Sequence, residues 1–251
     1  MFPIRDSIPT RRFPLINSIL IGVNVLVFLF QVSLDGAALE GLIRSFALVP
    51  ADYLPQARAG QGLLYYYPLL TNMFLHGGWL HLIGNVWTLY IFGDNVEDRM
   101  GRGRYLLFYL LAGVLAAATH LAFNWGSPVP ALGASGAIAG VMGAYLFLCP
   151  RSRVLMLIPI FYIPFFFRIP AFVYLIYWFV LQVLSGAAEL FAPEATGGIA
   201  FWAHIGGFVA GVLLHLVMQD RTYVAPDTYQ SYKQDPRVFR QGRWEDVRYY
   251  R

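Results

Sequence analysis

The chain has 251 residues, of which 58% are hydrophobic and 13% are charged, and its mean hydropathy is +0.55. The charged share is about half of the ~25% that is usual for soluble domains, so the sequence cannot cover itself with polar surface in water. The net charge of +4 does not indicate a nucleic-acid-binding face, because the basic residues gather in loops and toward the C-terminus. These figures predict one polytopic membrane domain and exclude a soluble one.

Residues 1–14 contain three arginines and three prolines, which predicts a short basic segment without a stable helix. The apolar run over 15–34 is long enough to span a bilayer and ends in no clear small-residue cleavage site. Residues 10–13 (TRRF) faintly resemble a twin-arginine export signal, but the length of the run favours a retained first membrane helix.

A long mixed connection follows over residues 35–78. It carries scattered charges and a cluster of three tyrosines at 65–67, a composition typical of the membrane–water interface. Its apolar patches are too short or too interrupted to span a bilayer. The connection is therefore predicted to lie partly in the outer interface, as the first outer loop.

Five further apolar runs predict membrane helices. They cover 79–92, 105–123, 133–149, 170–190 and 200–218. Residues 154–167 are apolar but interrupted by Pro159 and Pro164, which favours an interfacial or re-entrant piece. The short loop over 191–198 is expected to cap the outer side, and the polar residues 220–251 are expected to form a mobile tail.

The predicted fold class is thus an all-α polytopic membrane protein, with a six-helix membrane domain over 15–219 between the basic segment and the tail. Arginines orient this domain. The three short segments on the side of the N-terminus hold nine arginines, and the two short loops on the opposite side hold none. By the positive-inside rule, the N-terminus and the C-terminal tail are cytoplasmic. The compact form suits a bacterial inner membrane.

Four polar side chains from three predicted helices fall at one depth: Ser135, His204, His81 and Asn85. At 1.5 Å rise per residue, all four lie within roughly 10 Å of the outer boundary. His81 and Asn85 are four residues apart and so share a helix face. Taken singly, each of the four residues is more often a helix cap, a packing residue or an interhelical hydrogen-bonding residue than part of a functional site. Together, polar groups at one level inside a membrane indicate a functional site.

Glycines are spaced to bring two of these helices together. Gly136 and Gly140 on the fourth helix, and Gly207 and Gly211 on the sixth, are pairs that allow close backbone packing. Such packing would carry a histidine nitrogen to ~2.6–3.2 Å from a serine oxygen. The segment GASGA is not a complete G-x-S-x-G elbow, because Ala137 stands in the last position, so no soluble α/β-hydrolase is implied.

Taken together, these patterns resemble the rhomboid family of intramembrane serine proteases. The matching segments are HGGWLHLIGN at 76–85, EDRMG at 97–101, GASG at 133–136 and AHIGGFVAG at 203–211. The resemblance implies a six-helix bundle without a cofactor, in contact with membrane lipid. It also implies that the substrates are membrane proteins, whose transmembrane segments are cut near the outer face.

The resemblance implies Ser135 as the nucleophile and His204 as the general base, a dyad without a carboxylate. It implies an oxyanion hole made by the Ser135 backbone N–H and the side chains of His81 and Asn85. His76 matches a recurrent histidine whose role is structural or shapes the water pocket.

Two positions depart from the family pattern. Ala139 stands where several members place a tyrosine that stacks on the histidine, so another group must orient His204. The first outer loop has IRS at 43–45 in place of the Trp-Arg pair of some members. Neither departure removes one of the implied catalytic groups.

Three alternatives are weighed against a protease. A rhomboid-like pseudoprotease would bind membrane-protein clients without cleavage, but it is disfavoured because both the serine and the histidine are present. A transporter or channel predicts ionisable groups at several depths, whereas Asp and Glu are essentially absent from the predicted spans. A metal site from His76, His81 and His204 would lack any carboxylate or thiolate ligand.

Cys149 is the only cysteine, so it forms no internal disulfide and is expected to pack at a helix end.

Overall fold

The computed structural model of the chain describes residues 2–53, 62–160, 163–191 and 199–222. Over these residues the fold is mostly helical, with three short strands and three short 3-10 helices. The α-helices are α1 (Leu15–Ser33), α2 (Gly36–Phe46), α3 (Pro68–Thr71), α4 (Trp79–Met100), α5 (Arg102–Phe123), α6 (Ser135–Leu148), α7 (Ala171–Phe191) and α8 (Phe201–Met218). The strands are β1 (Phe2–Asp6), β2 (Arg153–Ile160) and β3 (Ile163–Pro170).

Four of these helices, α1, α5, α7 and α8, are long and apolar enough to cross a membrane. Helix α6 is apolar but has only 14 residues, and α4 carries several ionisable residues in its last turns. The prediction of a multi-pass helical membrane protein is confirmed. Length and composition alone support four spans within the described ranges, against the predicted count of six.

Helix α4 continues past its predicted end at residue 92 to Met100. The sequence there turns polar, which predicted an exit from the membrane. In the fold, Asp94, Asn95 and Glu97 are instead at most 5% exposed. Other segments supply hydrogen-bond partners for Asn95 and Glu97, and Asp94 accepts hydrogen bonds from the neighbouring Asn95. The other five long helices agree with their predicted bounds to within three residues.

A small antiparallel sheet in the order β1–β2–β3 was not predicted by the all-α assignment. Residues 154–167, expected to form an interfacial or re-entrant piece, form most of the β2–β3 hairpin between α6 and α7, with Pro159 opposite Pro164. Branched and aromatic residues favour strands, and Val154 and Met156 alternate inward to fully buried positions. Strand β1, within the basic segment, pairs with β2. Phe191 of the predicted loop at 191–198 ends α7, and the rest of that loop and most of the tail lie outside the described residues.

The start of α1 is held by a carboxylate from α4. The Glu97 side chain accepts hydrogen bonds from the backbone N–H groups of Ile16, at 3.1 Å, and Asn17, at 2.7 Å. No side chain caps α1 locally, so Glu97 satisfies two of its first-turn donors from another helix. The Asn17 side chain then bonds to the Tyr105 hydroxyl at 2.7 Å. This arrangement places the start of α1 beside the end of α4.

A second buried polar cluster joins the sheet to α4 and α6. Asp6 accepts hydrogen bonds from Asn95 at 2.7 Å and from the Tyr145 hydroxyl at 2.5 Å. The Tyr145 hydroxyl also bonds to Ser152 at 2.6 Å. Because each group in this cluster has a partner, burial of the Asp6 carboxyl is offset by charge-assisted hydrogen bonds. The cluster ties β1 to the ends of α4 and α6.

Helices α6 and α8 pack backbone to backbone, as the glycine spacing predicted. A methyl group built on Gly207 would lie 2.0 Å from the Gly136 carbonyl oxygen, and one on Gly211 would lie 1.9 Å from the Gly140 carbonyl oxygen. Both pairs advance in the same direction, so α6 and α8 run parallel. Helix α8 also ends beside α4, because the Asp220 N–H donates to the Arg99 carbonyl at 2.9 Å.

Replacing Gly211 with alanine is expected to force α6 and α8 apart, because the added methyl group would overlap the Gly140 carbonyl oxygen. Overpacking of this kind costs about 1–3 kcal/mol, which would lower the Tm measured in detergent. Gly22→Ala on α1 is the control, since nothing lies within 4 Å of its added methyl group. Equal Tm values for the two variants would contradict the backbone contact.

Replacing Glu97 with alanine is expected to destabilise the fold by about 1–3 kcal/mol, because a buried and a partly buried N–H group at the start of α1 lose their acceptor. Chemical or thermal unfolding in detergent measures the loss, and Glu97→Gln should recover part of it through its remaining oxygen. Glu40→Ala is the matched control, since the exposed Glu40 pairs with Arg44 on the same helix. A Glu97→Ala variant as stable as Glu40→Ala would refute the capping role.

Candidate active site

Ser135 is the first residue of α6, and the backbone just before it, at Gly133, lies close to other parts of the fold. Gly133 has a φ of +126°, a region that favours glycine, and its N–H donates to the Asn72 carbonyl at 2.9 Å. The sequence predicted a helix start at 133, two residues earlier than observed. As a first-turn residue, Ser135 has a backbone N–H that needs no intrahelical partner. That N–H can therefore donate to a bound group.

His204 lies in the first turn of α8 and contacts Ser135. The distance between His204 Nε2 and Ser135 Oγ is 2.8 Å, although the two residues are 69 apart in sequence. This value falls in the hydrogen-bond range expected for a nucleophile and its base. The parallel contact of α6 and α8 brings the two side chains together.

The other ring nitrogen of His204 contacts Gln182 on α7, which sequence reasoning did not single out. His204 Nδ1 lies 2.8 Å from Gln182 Oε1. The Trp178 ring lies one helical turn earlier, with its centroid 5.7 Å from that of the imidazole. Ala139 is fully buried and presents no ring to His204. A polar amide in the middle of an apolar span was the signal that could have identified Gln182.

His81 and Asn85 lie on the opposite wall, on α4. A methyl group built on Gly133 would lie 2.6 Å from His81 Nε2 and 3.6 Å from Asn85 Nδ2, so both side chains reach the backbone just before Ser135. The Gly77 N–H donates to His81 Nδ1 at 3.4 Å. A neutral His81 that accepts there carries its proton on Nε2. Asn85 Nδ2 is buried and has no hydrogen-bond partner among the described residues.

All four predicted residues line one cleft of about 940 Å³ between α4, α6, α7 and α8. The structure therefore brings together Ser135, His204, His81 and Asn85, as the common depth predicted. The rest of the cleft lining is largely apolar and aromatic, including Trp79, Tyr174 and Trp178. A separate cavity of about 20 Å³ lies behind Ser135 and beside His120, with room for one water molecule.

His76 lies outside the cleft, in the turn before α4. Its ring packs edge-on against His81, with centroids 5.2 Å apart, and its backbone exchanges two hydrogen bonds with the Gln31 side chain. Burial and the neighbouring His81 ring lower the pKa of His76 to about 4, against the opposing effect of the Phe74 carbonyl. Within the described ranges, no cluster of three or more His, Cys, Asp or Glu side chains could hold a metal ion.

The remaining sequence predictions near the site have plain structural counterparts. The segment 43–45 lies on α2, where Arg44 pairs with Glu40 at 3.3 Å. Cys149 is buried at the end of α6, as expected for a packing residue. The structure as a whole defines a class of protein: a multi-pass helical membrane protein with a serine hydroxyl hydrogen-bonded to a histidine inside the bundle.

The protein-family model described as the Rhomboid domain matches residues 64–221, which is more than half of the chain. The chain therefore belongs to the rhomboid family. The matched region contains α4 to α8, which supply every residue of the Ser135–His204 site.

Individual relatives carry the same family name. The chain is 34% identical over 144 residues to Rhomboid protease GluP of Bacillus subtilis (strain 168), covering 57% of this chain and 26% of that protein. It is 26% identical over 199 residues to Rhomboid protein 1, mitochondrial, of Saccharomyces cerevisiae, covering 77% and 50%. It is 26% identical over 202 residues to Presenilin-associated rhomboid-like protein, mitochondrial, of Homo sapiens, covering 77% and 45%. The matches thus span half or less of these relatives.

The lowered pKa of His76 predicts an acid-dependent loss of stability. Between pH 6.5, the ordinary histidine pKa, and about pH 4, the unfolded chain binds a proton at His76 that the folded chain does not. The contribution is fully present above pH 6.5 and is lost as the pH falls through this window. The drop in Tm in detergent between pH 7.5 and pH 5 should be smaller for His76→Phe than for the wild type. An identical drop in Tm for the two proteins would show that the pKa of His76 does not differ between the folded and the unfolded chain.

Proposed function

We propose that this chain is an active intramembrane serine endopeptidase, which cleaves transmembrane segments of membrane proteins near the outer face. The observation that carries the proposal is the 2.8 Å hydrogen bond between His204 Nε2 and Ser135 Oγ, at the edge of a cleft inside a membrane bundle. Membership of the rhomboid family and likeness to a relative named a rhomboid protease support it.

Ser135 is the nucleophile of this proposal, and His204 is its general base. As Oγ attacks the carbonyl carbon of the scissile peptide bond, its proton passes to His204 Nε2. The imidazolium then gives that proton to the departing amine, and an acyl-enzyme ester remains on Ser135. An ionised carboxylate beside the histidine would be expensive in a membrane, and the Gln182 amide oxygen occupies the corresponding place.

The oxyanion that develops during the attack is stabilised by donors on the opposite side of Ser135. These donors are the Ser135 N–H, the His81 Nε2–H and the Asn85 amide. The unpartnered Asn85 Nδ2 and the proton assignment of His81 support these roles. Such preorganised donors act strongly where water is scarce, and the loss of one costs about 10²–10³ in rate.

Hydrolysis of the acyl-enzyme needs a water molecule at the same carbonyl. His204, neutral again, removes a proton from that water as its oxygen attacks the ester carbonyl carbon. The imidazolium then returns the proton to Ser135 Oγ as the ester bond breaks, which frees the carboxylic acid product and regenerates the serine. The small cavity beside Ser135 and the open cleft both offer room for the incoming water. The peptide carbonyls of a helix are engaged in its own hydrogen bonds and lie beneath its side chains. The substrate segment therefore unwinds locally before its peptide bond can be reached.

Six membrane spans are part of the proposal, with α4 and α6 added to the four long apolar helices. Helix α6 runs parallel to α8 and in contact with it over at least one full turn, which supports a common path across the membrane. The contacts Asp220–Arg99 and Glu97–Asn17 bring the ends of α8 and α4 and the start of α1 to one side. The arginine distribution makes that side cytoplasmic.

The finer domain limits and the location are proposed from the sequence pattern. We assign residues 1–14 as a cytoplasmic segment, 15–219 as the membrane domain and 220–251 as a cytoplasmic tail. We propose a bacterial inner membrane as the location, because the compact six-helix form and the basic cytoplasmic segments suit one. One of the relatives is bacterial and two have mitochondrial in their names, so their origins fit either a bacterial or an organellar membrane.

Replacing Ser135 or His204 with alanine is expected to abolish cleavage, by at least about 10³-fold, because each removes one partner of the reacting pair. The test uses purified protein in detergent or vesicles with a model transmembrane substrate, and a fluorophosphonate probe for the serine. Asn85→Ala should retain labelling at a reduced rate, with cleavage lower by about 10²–10³. Ser33→Ala, which alters a hydroxyl at the exposed end of α1, is the matched control.

The same experiment separates the protease from a pseudoprotease that binds clients without cutting them. Cleavage that survives Ser135→Ala would rule out the proposed nucleophile. A wild-type protein that binds the substrate, leaves it intact and does not react with the probe would establish the binding function instead. Release of two fragments by the wild type alone supports the protease.

A further inference from the structure

We infer that Gln182 is the positioning residue that selects the tautomer of His204, and that it replaces the missing aromatic partner at Ala139. The inference rests on the proposed function of the Ser135–His204 pair and deepens it. Its geometric basis is a continuous chain of hydrogen bonds that runs from a backbone carbonyl of α7 to the serine hydroxyl.

The first bond of this chain fixes the orientation of the Gln182 amide. Gln182 Nε2 lies 3.4 Å from the backbone carbonyl oxygen of Trp178, one turn earlier on α7. A carbonyl oxygen can only accept, so the group that faces it must be the amide nitrogen. The amide oxygen of Gln182 is thereby directed toward His204, at 2.8 Å from Nδ1.

The second bond fixes the proton of the imidazole. An amide oxygen can only accept, so His204 Nδ1 must carry the proton. In the neutral ring, Nε2 then holds the lone pair, and it lies 2.8 Å from Ser135 Oγ. This tautomer accepts the serine proton. The opposite tautomer would present an N–H to Ser135 and could not act as its base.

The orientation of the ring follows from the same contacts. Helix α7 packs on α8 through the stacked rings of Phe179 and Phe208, with centroids 4.4 Å apart, which keeps Gln182 within reach of His204. The tilted Trp178 ring covers one side of the imidazole. In a membrane span, an amide without a partner is costly. The bond to His204 therefore stabilises Gln182 in this rotamer as well as the histidine.

The spectroscopic test does not depend on activity. The chain has five histidines, which are labelled with ¹⁵N and observed by NMR. Spectra of the wild type, Gln182→Met and Gln182→Glu are compared, and His204→Asn identifies the His204 signal. The wild type should show His204 protonated on Nδ1. Gln182→Met keeps the length of the side chain without an acceptor, and it should show a mixture of both tautomers. Gln182→Glu restores an acceptor oxygen and should restore the Nδ1–H form.

The kinetic test uses the same variants with the transmembrane substrate. Gln182→Met should lower kcat by about 10- to 100-fold with little change in KM, a part of the 10²–10⁴-fold that a positioned general base contributes. Gln182→Glu should recover most of kcat. Tyr177→Phe, which removes an exposed hydroxyl from the same helix, should match the wild type.

The outcomes distinguish this inference from the proposed function. A wild-type His204 protonated on Nε2, or a Gln182→Met variant with an unchanged tautomer, would overturn the role of Gln182 even if the protein is a protease. The expected tautomer pattern without any cleavage would uphold Gln182 and refute the protease. A loss of kcat in Gln182→Met that Gln182→Glu does not recover would indicate a packing role only and would also overturn the inference.

Discussion

The backbone contact between α6 and α8 is the constraint on which the site depends. Gly207 lies against the Gly136 carbonyl, with no room for a side chain, and this contact sets both the distance and the register of two parallel helices. The turn of α8 before Gly207 then places His204 beside Ser135. Lipid supplies no hydrophobic force between helices, so close packing of small residues is the available way to hold such a pair.

Two of the polar clusters in the described part of the bundle differ in whether all their polar groups have hydrogen-bond partners. The cluster of Asp6, Asn95 and Tyr145 is buried and internally satisfied, which suits a purely structural joint between the sheet and two helices. Around Ser135 the polar groups line a cleft, and the Asn85 amide nitrogen is unpartnered within the described residues. An unpartnered donor beside Ser135 suits the oxyanion of the proposed reaction.

The predictability of each feature follows from the kind of signal that carries it. Long apolar runs and glycine spacing are local patterns, so α1, α5, α7 and α8 and the α6–α8 contact could be predicted from them. The end of α4 could not, because its polar residues are buried by partners distant in sequence, such as Asn17 for Glu97. The β2–β3 hairpin was missed because prolines in an apolar run are compatible with several structures.

The sequence by itself determined the membrane class, the family resemblance and the choice of Ser135, His204, His81 and Asn85 as candidate site residues, because charge placement and local spacing carry that information. Only the tertiary structure decided what holds His204. Gln182 is 22 residues away on another helix, and its role depends on a 2.8 Å contact between two side chains. A single amide in an apolar helix has many possible partners, and helix packing alone selects one of them.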